Sequence, residues 1–302
     1  MVAGRRPPRR HRRRGRRLLR HRVGGRHHRG ARRAGVAASG HGARGNAGRR
    51  ARPGRHRPGP RTRPGARGAP AHPLRHVDLD HLTAVHDDGT VGVQDVDLRV
   101  EAGELVLLTG RVGSGKSSLL AALAGLVDHE GTVRWNGVAV QDPQTFLRPG
   151  QVSYVAQVPR VLSGSFDDNV ALDHELARSL ADDAVADARL TRDVAAAGGR
   201  HALVGHRGVR LSGGQVQRLA LARALASGAD LLVADDVSSA LDASTELELW
   251  QALRERGTTV VGASSKRSAL LVADRVVVLG EGRVQAVGPW RELEADWGHL
   301  AG

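Results

Sequence analysis

The apolar and polar positions of this chain fall into two regimes that meet near residue 76. From there on the spacing is regular. VDLDHLTAV (77–85) alternates as an edge or half-buried strand does, and VQDVDLRVEAGE (93–104) predicts a second strand closing in a turn. ELVLLTG (104–110) is instead a continuous apolar run of buried-strand length. It leads into the glycine-rich stretch GRVGSGKSS (110–118) and then LLAALAGL (119–126), rich in helix formers. Further along, LALARALASGAD (219–230) predicts a helix stopped by glycine. LLVADD (231–236) then predicts a fully buried parallel strand closed by two aspartates. No run reaches the roughly 18 apolar residues that a helical membrane span needs.

The first 75 residues share none of this periodicity. They hold 25 of the 46 Lys and Arg residues, all of them arginine, and no Asp or Glu. The net charge of +15 therefore averages a strongly basic segment and an acidic body, residues 76–302, with 31 acids against 21 bases. Stretches such as RRPPRRHRRRGRR have no aromatics and no apolar face. Such a segment buries too little surface to offset the entropy of ordering, so residues 1–75 are expected to be disordered. Three origins fit the composition: an arm for nucleic acid or acidic lipid, an inert tail, and a misframed start in GC-rich DNA. Twin arginines abound, but no apolar core of signal-peptide length follows them. With no cysteine there is no disulfide framework and no thiolate metal site.

Three stretches of the acidic body carry chemistry. Gly110, Gly115, Lys116 and Ser117 meet the spacing G-x-x-x-x-G-K-S between a predicted strand and a predicted helix. Glycines there let the backbone curl until successive N–H groups converge on phosphate oxygens, and the helix start adds partial positive charge. Lys116 would bridge the β- and γ-phosphates and the Ser117 hydroxyl would ligate Mg²⁺. Asp235 and Asp236 fall at the carboxyl end of a buried strand, where open α/β sheets place their ligands. Asp235 would hold Mg²⁺, through water, and Asp236 would face the attacking water. The third stretch, LSGGQ (211–215), opens a helix and offers a second anion site of free N–H groups. A second γ-phosphate site in one small domain has a use only if it serves another molecule's nucleotide.

These elements, in this order, resemble the nucleotide-binding domain of ATP-binding cassette (ABC) transporters, and the resemblance covers residues 76–302. GRVGSGKSS is similar to the Walker A loop, LLVADD to Walker B and LSGGQ to the family's signature motif. Gln157 in YVAQVP lies where the family has its Q-loop glutamine, which touches Mg²⁺ and the membrane domain. SALD (239–242) resembles the D-loop that crosses to the partner subunit, and His86 falls at the adenine-stacking position. VPRVLSGSFDDNVAL (158–172) and LVGHRGVRLSGGQ (203–215) resemble the exporter branch, although His206 stands where that branch usually carries a glutamate.

The resemblance implies an α/β, P-loop NTPase core of ABC type, with a helical subdomain at about 158–212. It implies ATP and Mg²⁺ as cofactors. Nucleotide contacts would come from His86, Gly110, Arg111, Val112, Gly113, Ser114, Gly115, Lys116, Ser117 and Ser118. Ser212, Gly213, Gly214 and Gln215 would close over a partner's ATP, and Ser117, Gln157 and Asp235 would form the metal side. The implied partners are the transmembrane domains of an exporter and a second nucleotide-binding domain, at the cytoplasmic face of the membrane. A non-transport ABC ATPase acting on nucleic acid through the basic arm is the alternative. Translation-type members generally carry two cassettes, and this chain has one Walker A. A severed, non-functional cassette is a further alternative.

Two positions depart from the family's pattern. The general-base glutamate after Walker B is replaced by Asp236, and Ser265 stands where the switch histidine belongs. Shortening a carboxylate by one methylene pulls it back by about 1.5 Å, and a misplacement of roughly 1 Å can cost on the order of a hundredfold. Serine can donate a hydrogen bond but cannot carry the charge of an imidazolium. The catalytic set Asp236, Gln157 and Ser265 is therefore expected to hydrolyse ATP slowly while the loop still binds it. An intact signature beside a weakened site resembles the degenerate half of a heterodimeric exporter, whose partner carries the Glu and His.

Overall fold

A computed structural model describes residues 73–147, 150–172, 176, 178–205 and 210–302. The disorder expected for residues 1–75 falls almost wholly outside them, as does His206. The chain opens with two strands, β1 (His76–Val85) and β2 (Val91–Glu101), then β3 (Leu105–Thr109), helix α1 (Lys116–Leu123), β4 (Asp128–Trp135) and β5 (Val138–Ala139). A short α2 (Pro143–Phe146) and β6 (Val152–Val155) lead to a mostly helical stretch. It contains β7 (Gly164–Ser165), α3 (Phe166–Ala171), α4 (Arg178–Asp187), α5 (Thr191–Ala196) and β8 (Leu203–Val204). The long α6 (Gly213–Ala226) returns to β9 (Leu231–Ala234), followed by α7 (Ala243–Glu255), β10 (Thr259–Ala263) and α8 (Arg267–Val272). β11 (Arg275–Gly280), β12 (Arg283–Gly288) and α9 (Trp290–Trp297) complete the fold.

Two sheets organise these elements. β2-β1-β4-β5 is antiparallel, and its alternating burial follows the alternating sequence of β1 and β2. The six-stranded sheet runs β12-β11-β3-β10-β9-β6 and is parallel except for β12. LVLLT and LLVA are buried at every position, as expected of parallel strands covered on both faces. On one face, Leu105, Leu107, Leu232, Val260 and Val276 pack with Phe166, Leu219 and Trp250 from the helices. On the other, Val106, Leu108, Val233 and Val261 pack with α1 and the antiparallel sheet. Helix α1 is thus enclosed between two sheets, which fixes the loop that precedes it.

Element bounds differ from the expected ones for local reasons. The first helix starts at Lys116 because Gly115 before it is left-handed (φ 99°), and it stops ahead of Gly125 (φ 66°). The helix that LSGGQ is expected to open starts at Gly213, because Ser212 caps it. Its inner face packs on α3 and α4, so the helical region includes part of α6 as well as the 158–212 segment.

Candidate nucleotide site

The parallel strands β3, β10 and β9 end side by side, and the candidate residues gather at those carboxyl ends. The loop after β3 is shaped by close packing. A Cβ on Gly110 would lie 2.2 Å from the Leu279 carbonyl oxygen, and one on Gly115 would lie 2.4 Å from that of Gly92. Both glycines also have positive φ, so no side chain fits either position. Inside the curl, the Lys116 ammonium donates to the carbonyls of Gly110 (2.8 Å) and Arg111 (3.0 Å) and to Ser114 Oγ (3.4 Å). Partial burial lowers its pKa, against the pull of Asp235 and Asp236. Arg111, Val112 and Gly113 form the exposed tip.

At the second residue of α1, Ser117 Oγ donates to Asp235 Oδ1 at 3.1 Å, joining the helix start to the end of β9. Burial raises the Asp235 pKa, opposed by the Ser117 hydrogen bond and the Lys116 charge. Burial and the same carboxylate push the neighbouring Tyr154 phenol up to about 12. The donor set here is a hydroxyl and a carboxylate, with the Gln157 amide close by. These are hard oxygen ligands of the kind Mg²⁺ takes, and the converging loop with its lysine suits a phosphate chain. The residues fit both groups.

Asp236 is half-buried and left-handed (φ 50°), a conformation that Asp tolerates better than most residues. Gln157 Nε2 donates to its Oδ2 at 3.4 Å. Its backbone carbonyl accepts from Gln217 Nε2 (3.3 Å) and Ser239 Oγ (3.1 Å). Burial, with a contribution from the Asp235 charge, raises its pKa, so its carboxyl holds a proton to higher pH than an exposed aspartate does. Ser265 is exposed just beyond β10, and its carbonyl accepts from the Gly302 N–H at 2.8 Å. His86, at the β1–β2 turn, places Nε2 2.8 Å from Ser118 Oγ, which sets its ring beside the start of α1.

The signature-like stretch lies apart from this crevice in its hydrogen bonding. Ser212 Oγ accepts from the Gln215 N–H (3.3 Å), and Gln215 Oε1 accepts from the Ser212 N–H (2.8 Å), a reciprocal cap on α6. Gln215 Nε2 donates to Asp193 (2.8 Å). Ser212 and Gly213 are exposed, while Gly214 is buried against the 240–241 turn. Among the described residues, no hydrogen bond joins this cap to the 110–118 loop.

Four residues that motif spacing does not reach also stand in or near the site. Tyr154 lies beside Asp235, and Gln217 is buried against the backbone after Asp236. Buried Glu246 and half-buried Lys266 form an ion pair at 3.2 Å. The one signal in the sequence was polarity out of place: Gln217 and Glu246 each occupy an inward-facing helix position among apolar neighbours.

Comparison with known proteins agrees with this arrangement. Residues 93–239 match the family model described as ABC transporter. The ABC transporter B family member 1 of Dictyostelium discoideum is 32% identical over 67% of this chain and 23% of its own length. An ATP-dependent lipid A-core flippase of Burkholderia thailandensis is 37% identical over 68% of this chain and 35% of its own. A solved bacterial Atm1-family ABC exporter with ATP bound superposes with a TM-score of 0.69 at 26% identity. That match covers 78% of this chain and 43% of that one. The chain therefore spans well under half the length of each of these relatives. With the sheet order, the loop geometry and the matched region in agreement, the chain belongs, through residues 93–239, to the ABC transporter family as an ATP-binding domain of the exporter type.

Proposed function

We propose that this domain binds Mg-ATP in the crevice at the ends of β3 and β9 and hydrolyses it slowly. The observation that carries the reading is a contrast within one crevice. Lys116 is hydrogen-bonded into the phosphate loop, and Ser117 is hydrogen-bonded to Asp235. Asp236 and Ser265 stand where the resemblance calls for a glutamate and a histidine. The loop amides and Lys116 would hold the β- and γ-phosphates, and His86 would lie against the base. Ser117, Asp235 and Gln157 would hold the metal ion, which when bound screens the phosphate charge. Asp236 would orient and deprotonate the attacking water from a carboxylate set back by about 1.5 Å, the length of one methylene.

In this reading the domain works in a head-to-tail pair. Ser212 and Gly213 of its cap are exposed and, among the described residues, share no hydrogen bond with its own loop, which suits a surface that closes over another subunit's nucleotide. The partner cassette carries the Glu and His. Transmembrane domains of an exporter would dock on the apolar groove between the sheet edge and the helical region, lined by Leu126, Tyr154, Leu172 and Ala220. In this reading the domain would sit at the cytoplasmic face of a membrane.

The test is purification of the chain with and without its presumed partner, with ATP binding and turnover measured in each. Binding by the chain alone, with turnover appearing chiefly in the pair, supports the reading. Substantial hydrolysis by the chain alone that survives Asp236→Ala contradicts it.

A further inference from the structure

Directly after Asp236 the chain makes a tight turn, residues 236–241, that is held from two sides. From α6, Gln217 donates to the Asp236 carbonyl (3.3 Å) and to Ser239 Oγ (2.9 Å), and its Oε1 accepts from the Ala240 N–H (3.1 Å). From the segment after β10, the Lys266 ammonium donates to the carbonyls of Ser238 (3.1 Å) and Leu241 (2.8 Å). The same ammonium lies 3.2 Å from Glu246 Oε2.

Glu246 has no exposed surface, and such a carboxylate is costly to bury unless it is neutralised and hydrogen-bonded. Ser238 Oγ donates to it at 2.5 Å, Trp250 Nε1 at 3.4 Å and Ser264 Oγ at 3.5 Å. Every one of these groups comes from the turn, from α7 or from the end of β10. Lys266 is therefore fixed at its tip by a buried acid and spends its remaining donors on the turn's carbonyls.

We propose that Lys266 is a positioning residue for hydrolysis: anchored on Glu246, it pins residues 238–241 and so holds the Asp236 carboxylate at a fixed place in the crevice. A lysine suits the task because one ammonium donates to two carbonyls of the turn while lying at ion-pair distance from the buried acid. The inference rests on the reading that the crevice binds Mg-ATP, and it assigns to the residue next to Ser265 a role in keeping some turnover.

The experiment compares the full chain with its Lys266→Ala and Lys266→Arg variants. It reads Mg-ATP affinity, steady-state turnover with labelled ATP, and amide hydrogen exchange of residues 237–242. Lys266→Ala is expected to lower kcat about tenfold with KM and affinity unchanged within twofold, and to speed exchange in the turn about tenfold. Lys266→Arg, which keeps the cation and its donors, is expected to restore turnover and exchange to within about twofold of wild type. Unchanged turnover in Lys266→Ala overturns the proposal whatever the exchange shows. So does a loss of kcat matched by a rise in KM, or a loss that arginine fails to rescue. Failure of the unmodified chain to bind Mg-ATP would sink the functional reading instead. The exchange comparison would then still decide the clamp, since unchanged protection in Lys266→Ala removes it.

Discussion

On the loop side of the crevice, groups from two elements meet. Lys116 fills the curl of the loop, and Ser117 reaches across from α1 to Asp235 on β9. On the far side, Asp236 and Ser265 stand at neighbouring strand ends, and among the described residues no hydrogen bond links their side chains. The loop side is built mainly from backbone, with glycines set by packing against Leu279 and Gly92. The far side depends on the reach of single side chains. In the proposed reading, binding and hydrolysis would thus rest on different physical resources, and one could weaken without the other. A shortened carboxylate costs hydrolysis while leaving the converging N–H groups where they were.

The largest break in that contrast should come from the loop side. Lys116→Ala removes the cation at the centre of the curl. Truncating one partner of a hydrogen-bonded charge pair costs about 2–5 kcal/mol, so ATP affinity by calorimetry should fall at least about 30-fold. A change of less than about threefold would mean that the phosphates do not lie in the loop.

Asp235→Asn should show a trade between stability and metal use. The folded-state pKa of Asp235 is raised by burial, so the fold favours its protonated form. Wild type then gives up stability as pH rises through that raised value, a loss the amide does not suffer. The variant should melt higher at pH 7.5 than wild type. The gain should vanish below the ordinary aspartate pKa of about 3.9. At the same time the difference between ATP affinity with and without magnesium should shrink. A variant that melts lower at neutral pH would show that Asp235 is held as a favourable ion pair.

The smallest effect concerns the base. His86 has one ring nitrogen on Ser118 Oγ, and a broader aromatic surface should stack better. Base–aromatic stacking is worth about 1–3 kcal/mol, so His86→Tyr should tighten ATP binding by about fivefold and leave GTP and ATP alike in gain. No change would place the base elsewhere.

Much of this arrangement was legible in the sequence because its causes are local. The continuous apolar runs at 105–109 and 231–234 are parallel strands buried on both faces, and the alternating 77–85 run is an antiparallel strand with alternating burial. Gly110, Lys116, Ser117, Asp235 and Asp236, singled out by motif and strand position, and Gln157, singled out by the resemblance, come together at the carboxyl ends of the parallel strands. The turn around Asp236 was not legible. Gln217, Glu246 and Lys266 act through partners that lie up to 28 residues away, and only the order β3-β10-β9 brings them together. The start of α6, by contrast, was legible, since LSGGQ reads as the opening of a helix, and there Ser212 and Gln215 cap each other.

The central claim is that this crevice holds Mg-ATP firmly but lacks the reach to split it quickly. The direct measurement is turnover at saturating Mg-ATP for the full chain and for the double variant Asp236→Glu with Ser265→His, with affinity measured beside it. The account predicts a rise in kcat of about a hundredfold, with affinity unchanged within about threefold. A double variant no faster than wild type, or a wild-type chain that already turns over rapidly and keeps doing so in Asp236→Ala, would contradict it.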